Sequence, residues 1–333
     1  MSQSYRPARW LSNPHLVTMW GKFFQSARVV PASTERWSTP DDDFVDVVRI
    51  PATHEEAPTF LLLHGLEGNA RSHYATGTLL AAAARGWQAN LLVFRSCGDE
   101  MNRAMRSYHS GETTDIDLVV RRLLNERPYA PLVLGGVSLG GNVLLKWLGE
   151  QGSAIDQRVR AATAVSVPFD LARSCAHMER GFARVYGWNF LKTLKRKALE
   201  KLERHPNIAD RDRILSARTL WEFDDAFTSI VHGFRDAADY YAQSSSMRFL
   251  STIRVPTLLL SSRDDPFHPP SVLDQVAQIA AGNPSLTLEF TDRGGHVGFL
   301  EGAHPLRTAN YSERRIVDFG ASVLQRTGAV ISA

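Results

Sequence analysis

Only two cysteines, Cys97 and Cys175, occur in this chain of 333 residues. They are too few for a disulfide framework and fit no metal-ligand spacing, so no metal centre is expected and the reducing cytoplasm is the simplest compartment. A surplus of one charge is equally lacking, because 38 basic residues face 35 acidic ones and leave a formal net charge of +3. The basic residues are scattered apart from Lys192–Lys197, so no nucleic-acid footprint follows, and that run reads as a solvated helix face. No stretch approaches the roughly 18 apolar residues that cross a bilayer, and Met1–Trp10 has no apolar signal core. A soluble, unsecreted protein without a transmembrane segment is therefore expected. There is no internal repeat and no low-complexity segment, and oligomeric state cannot be read from the chain.

What is present is enough apolar residue for a large core: 44% hydrophobic against 22% charged, which fits one α/β domain with an insertion. From about residue 45, short apolar or β-branched runs alternate with longer helical patterns. The runs predict strands at 45–49, 59–64, 88–94, 132–136, 161–167, 257–261 and 286–290, with helices at 73–85, 112–125, 139–151, 271–281 and 313–325. That alternation predicts an α/β fold with a mostly parallel central sheet covered by helices on both faces. Residues 170–250 break the rhythm with a polar and aromatic helical stretch, read as a helical cap inserted into a core of 41–169 and 251–333. Residues 1–40 form an N-terminal arm. Its Trp10, Leu11, Leu16, Met19, Trp20, Phe23 and Phe24 are expected to pack on the core, with peripheral contact with lipid as the alternative.

The most informative feature is Gly136-Val137-Ser138-Leu139-Gly140, directly after one predicted strand and directly before a predicted helix. A serine on such a corner is held in a strained backbone while neighbouring chain comes very close, which demands small flanking residues. The turn points the hydroxyl away from the sheet and places the Leu139 amide at a helix N-terminus, where developing negative charge is stabilised. A serine nucleophile needs a base, and the base needs an acid to orient it. Of the 11 histidines, His296 in Asp292-Arg-Gly-Gly-His-Val-Gly-Phe299 falls in a glycine-rich loop after the last predicted strand. The acid lies in Ser261-Ser-Arg-Asp-Asp-Pro-Phe-His-Pro269. Asp264 and Asp265 both remain candidates there, and the spacing of an acid, three residues and proline selects Asp265 with Pro269. The order Ser, Asp, His is that of α/β-hydrolases.

The loop Leu62-Leu-His-Gly-Leu-Glu-Gly-Asn69 supplies a second oxyanion donor, the Leu66 amide, with His64 read as a structural histidine that bonds the loop. Asn142 is read as a brace of the serine corner. Ser110 and Glu112 are read as a helix start rather than as catalytic groups, and Cys97 is not taken as a nucleophile.

Further segments carry a resemblance along nearly the whole chain: Asn13-Pro-His-Leu16 with Trp20, His64–Gly68, Asn102-Arg103, Ser107–Thr113, Phe223-Asp-Asp-Ala-Phe227, His232-Gly-Phe234, Asp239-Tyr-Tyr241 and Gly294–Phe299. With these, the chain resembles the α/β-hydrolase superfamily and, more narrowly, the AB hydrolase 4 family of YheT-type bacterial hydrolases. The resemblance implies an α/β-hydrolase fold and a charge-relay set at Ser138, Asp265 and His296. It implies a serine carboxylic-ester hydrolase that needs no metal and no cofactor, and whose partner is a small acyl ester or a lipid-like substrate. The aromatic cap, with Phe182, Tyr186, Trp188, Phe190 and Trp221, points to hydrophobic short- to medium-chain acyl groups. An acyltransferase or thioesterase with the same triad is the alternative, and a non-catalytic binding protein a more distant one. One departure stands out: relatives read Arg-Gly-Cys-Ser-Gly-Glu where this chain has Arg95-Ser-Cys-Gly-Asp-Glu100, a change expected to alter the pocket without touching the triad.

Overall fold

The computed structural model describes residues 4–25, 28–326 and 328. Its centre is an eight-stranded sheet in the order β1-β2-β4-β3-β5-β6-β7-β8, with β1 at Ser33–Ser38, β2 at Phe44–Ile50, β3 at Thr59–Leu63 and β4 at Gln88–Val93. The remaining strands are β5 (Leu132–Val137), β6 (Val159–Val165), β7 (Thr257–Ser262) and β8 (Leu286–Thr291). β1 and β2 run antiparallel to their neighbours, and the other pairs are parallel. Strands β3, β5 and β7 are buried at every residue, as expected of central parallel strands covered on both faces, which read as unbroken apolar runs.

Helices α1 (Pro14–Phe24), α2 (His73–Ala83), α3 (Thr114–Glu126) and α4 (Leu139–Gln151) precede β6. Consecutive residues of β5 show how the helices divide between the two faces, since side chains alternate along a strand. A methyl group at Gly135 would meet Ile316, whereas one at Gly136 would meet Gly140 and Gly141 of α4. The helix α12 (Tyr311–Arg326) thus covers one face together with α2, and α4 covers the other.

Between β6 and β7 the chain is helical: α5 (Leu171–Met178), α6 (Arg184–Arg204), α7 (Arg211–Ser216), α8 (Leu220–Phe223), a π-helical turn at Asp224–Thr228, α9 (Ser229–His232) and α10 (Ala237–Ser244). These helices bury a hydrophobic cluster of their own around Leu191, Ile214, Phe223 and Tyr240, separate from the core around the sheet. α11 (Ser271–Ala281) follows β7, and the hairpin β9 (Leu300–His304) and β10 (Arg307–Asn310) precedes α12.

Three features differ from the sequence reading. The segment 1–40 contains α1 and the edge strand β1, whose pairing with β2 makes it part of the sheet. Only Trp37 of Ser-Thr-Glu-Arg-Trp-Ser is buried, so the segment lacks the apolar alternation that reveals a half-buried strand. The β9–β10 hairpin also went unread. It receives the arm, through a bridge between Pro7 and Glu301, a bond from the Trp10 indole to the Gly302 carbonyl at 3.0 Å and one from the Tyr5 hydroxyl to Leu300. Finally, the helix expected at 112 starts at Thr114, with Asp115 and Asp117 in its first turn. The Glu112 carboxylate accepts from the Thr114 amide at 2.7 Å, but Ser110 lies outside the helix.

Candidate active site

Ser138 follows the last residue of β5 and precedes the first of α4, with φ at 54°. That left-handed backbone is unfavourable for a serine, and two contacts hold it: the Ser138 amide donates to Val165 of β6 at 2.8 Å and its carbonyl accepts from Asn142 at 3.0 Å. The flanking glycines answer to space. A Cβ on Gly136 would lie 2.6 Å from the Gly140 carbonyl oxygen, and one on Gly140 would lie 2.4 Å from that of His64.

The carboxyl ends of the parallel strands bring the other candidates to this corner, as open α/β sheets do. Asp265 follows β7 and His296 follows β8. His296 Nε2 lies 2.9 Å from Ser138 Oγ, and His296 Nδ1 lies 2.9 Å from Asp265 Oδ2. A carboxylate accepts only, so Nδ1 carries the proton and Nε2 is left to accept from the serine hydroxyl. Asp265 is buried, which raises a carboxyl pKa, but attraction to His296 and then to His268 outweighs burial and holds it well below the usual carboxylate range. Asp264 does other work: its Oδ1 accepts from the Gly295 amide at 2.9 Å and so ties down the histidine loop. Of the two aspartates only Asp265 contacts the imidazole.

The Leu66 and Leu139 residues line the same cavity as Ser138. Leu139 is the first residue of α4, and the first amides of a helix have no acceptor within it. The Leu66 loop is fixed on both sides. Gly65 N–H donates to the Tyr74 hydroxyl at 2.8 Å and Glu67 N–H donates to the Tyr108 hydroxyl at 2.9 Å. His64 is the internal brace: its Nε2 accepts from the Phe94 amide at 3.1 Å, which leaves the Nδ1 proton for the Gly65 carbonyl at 2.7 Å. Burial pushes its pKa down to about 4, so this neutral tautomer persists across the ordinary pH range. The Asn142 side chain ties α4 to neighbouring segments rather than to the serine corner it is expected to brace, bonding Ser110 O and Ser244 O at 2.8 Å each and accepting from the Ser246 amide.

Several supporting residues have no local signature in the sequence. Phe267 stacks flat on the His296 ring, with centroids 3.8 Å apart, and it also touches Tyr186 and Phe190 of α6. Thr18 of α1 accepts the His296 amide at 2.9 Å, and Ser166 after β6 accepts the Val297 amide at 3.0 Å. His268, buried on the same loop as Asp265, brings Nε2 to 3.4 Å from Asp265 Oδ2. The Lys192–Lys197 run is not wholly solvated, because Lys197 turns inward to pair with Glu67 at 2.7 Å. The nearest hint of these roles was composition alone, an aromatic N-terminal segment and a proline-fixed loop, since all of these contacts but that of His268 with Asp265 join elements remote in sequence.

The cavity at Ser138 measures about 110 Å³ and is walled largely by Leu171, Met178, Phe190, Leu194, Leu220 and Phe223. His109 and Ser110 reach it, but the Ser110 amide donates to the Tyr240 hydroxyl, and burial drives the His109 pKa well below its usual value. Residues 95–100 do not line it, so the departure from the Arg-Gly-Cys-Ser-Gly-Glu pattern acts elsewhere. Arg95 there is buried among Asp41, Asp43 and Asp115, and burial pushes the Cys97 thiol up to about 11. Among the described residues there is no cluster of three or more His, Cys, Asp or Glu arranged to hold a metal, and no helix long and apolar enough to cross a membrane.

A strained serine between strand and helix, facing a histidine and an aspartate from the last strand ends of a mostly parallel sheet, defines an α/β-hydrolase. The model of the alpha/beta hydrolase fold family matches residues 58–303, and the chain belongs to that family. It is of the YheT type. It is 39% identical over 333 residues to the Escherichia coli (strain K12) protein named "Putative esterase YheT", covering 97% of this chain and 95% of that one. It is 31% identical over 270 residues to the Mus musculus protein named "Phospholipase ABHD3", covering 80% of this chain and 64% of that longer one. Among solved structures, an esterase of Pyrococcus furiosus superposes with a TM-score of 0.58 at 16% identity over 98% of both chains, a likeness of fold.

Proposed function

We propose that the protein is a serine carboxylic-ester hydrolase. The observation that carries this reading is the continuous line from Ser138 Oγ through His296 to Asp265, with 2.9 Å at each link, at the floor of an apolar cavity. Ser138 Oγ attacks the ester carbonyl carbon as His296 Nε2 takes the hydroxyl proton. The carbonyl oxygen gains negative charge and is held by the Leu66 and Leu139 amides, which are fixed before the reaction and need not reorient. Collapse of the tetrahedral adduct breaks the bond to the alcohol, which leaves with the proton from His296. Water then enters, gives its proton to the same nitrogen and releases the acid and the Ser138 hydroxyl. Asp265 keeps Nδ1 protonated and stabilises the imidazolium in both halves.

The helices of 170–250 act as a cap whose inner wall is the acyl pocket, and the segment 1–40 acts as an arm that braces the core. Their apolar lining favours hydrophobic short- to medium-chain acyl groups. The two buried thiols suit a reducing compartment, and the cytoplasm is the proposed location. A panel of p-nitrophenyl esters of graded acyl length tests the substrate class. Turnover is expected to peak at a medium-length chain and to vanish in Ser138→Ala. Fastest turnover of the acetate, falling steadily with length, overturns the apolar-pocket assignment.

A further inference from the structure

One wall of the cavity is built differently from the rest. Asp224 and Thr228 both line it and bound the π-helical turn inserted between α8 and α9. Such turns are rare and recur at functional sites. Thr228 Oγ1 donates to Asp224 Oδ1 and the Tyr241 hydroxyl donates to Oδ2, each at 2.6 Å. No ion pair to Asp224 is formed among the described residues, and burial pushes its carboxyl pKa up to about 6. An ionised carboxylate accepts about four hydrogen bonds, so these two donors leave capacity unused. A half-buried charge without a cation is costly, and sequences keep such groups chiefly where they serve function.

A second, independent observation lies on α5. Ser174 lines the same cavity, is 3% exposed, and its hydroxyl has no hydrogen-bond partner. Buried hydroxyls are almost always bonded. A carboxylate with spare acceptor capacity thus lines, together with a residue whose buried hydroxyl is unpartnered, a space whose remaining lining is mostly leucine, methionine and aromatic rings.

We propose that this wall is a subsite for a hydrogen-bond-donating terminus on the acyl chain, so that the preferred substrates are esters of ω-hydroxylated acids rather than plain alkanoates. The terminal hydroxyl donates to Asp224 and, because a hydroxyl also accepts, can answer the Ser174 hydroxyl. The apolar side walls hold the methylene chain between this point and Ser138. The proposal rests on Ser138 being the nucleophile that the chain is bound to reach.

The test compares p-nitrophenyl esters from butyrate to decanoate, each with and without a terminal hydroxyl, on wild type, Asp224→Asn, Asp224→Leu and Ser174→Ala. At the length that spans the pocket, the hydroxylated ester should show at least about a tenfold higher kcat/KM in the wild type, carried mostly by KM. The ratio should shrink in Asp224→Asn and Ser174→Ala and approach unity in Asp224→Leu. Being a ratio between two substrates on one preparation, it does not depend on how much of a variant folds. No hydroxyl preference at any length, in a wild type that hydrolyses the plain esters, overturns the subsite, as does a preference that survives Asp224→Leu. If no ester is turned over and Ser138 resists fluorophosphonate, the ester-hydrolase reading fails and the subsite with it.

Discussion

Ser138 occupies a backbone conformation that disfavours every residue but glycine, and the chain around it leaves no room for a side chain at Gly136 or Gly140. The serine corner was legible in the sequence for that reason: its steric demands restrict residue types within five consecutive positions. The aspartate that meets His296 was only half legible. Asp264 and Asp265 are neighbours on one loop, and the structure separates them by what they touch, a glycine amide for the first and the imidazole for the second. The two substitutions should therefore part company. Asp265→Asn is expected to lower kcat by about three to four orders of magnitude, because an asparagine amide facing Nδ1 stabilises the wrong tautomer. Asp264→Asn should cost far less, since an amide oxygen still accepts from Gly295. Steady-state kinetics on both variants with one ester checks this, and equal losses would contradict the assignment.

At the scale of elements, the central parallel strands were readable because burial on both faces makes them continuously apolar. Strands at edges carry no such mark. β1 turns only Trp37 inward, and the β9–β10 hairpin, mostly exposed or half-buried, was passed over. The role of α1 was hidden for another reason: its bond to the histidine loop spans 278 residues. Thr18 accepts the His296 amide, and Gly295, at φ 59°, has no space for a Cβ against Pro14 and Thr18. Helix α1 is thus part of the frame of the histidine loop. Thr18→Val keeps the shape and removes the acceptor. It should lower kcat by about tenfold or more with little change in KM, because misplacing a base by a fraction of an ångström weakens proton transfer while leaving the acyl pocket intact. An unchanged kcat would show that the loop holds without α1.

Across the described residues there are two large hydrophobic cores, one around the sheet and one within the helices of 170–250, besides a small cluster of Ala8, Val17 and Leu300, and the cavity lies where the two large ones meet. That the chain between β6 and β7 is helical could be read from the break in strand-helix rhythm, but the polar feature inside that stretch could not. A π-helical turn has no sequence period of its own, and Phe223-Asp-Asp-Ala-Phe227 reads as ordinary helix. Asp224 has a measurable consequence for global stability. Its carboxyl pKa rises on folding from 3.8 to about 6, so the folded state binds the extra proton between those values. Its contribution is fully present below the unfolded value and is lost as pH rises through about 6. Other buried carboxyls act in both directions, Asp115 and Glu313 with the same sign and Asp265 with the opposite, so the informative quantity is a difference. Urea midpoints of wild type minus Asp224→Asn should fall between about pH 4 and pH 7. A flat difference would mean that Asp224 titrates alike in the folded and unfolded chains.

Ester hydrolysis by this protein requires one atom, Ser138 Oγ, to be made nucleophilic by His296 and Asp265. Intact-mass measurement after brief exposure to a fluorophosphonate reads this directly, with the modified peptide located by fragmentation. A single phosphonyl adduct on Ser138 is predicted for the wild type, formed much more slowly in Asp265→Asn and absent in Ser138→Ala. A folded wild type that stays unmodified, or an adduct that persists in Ser138→Ala, would contradict it.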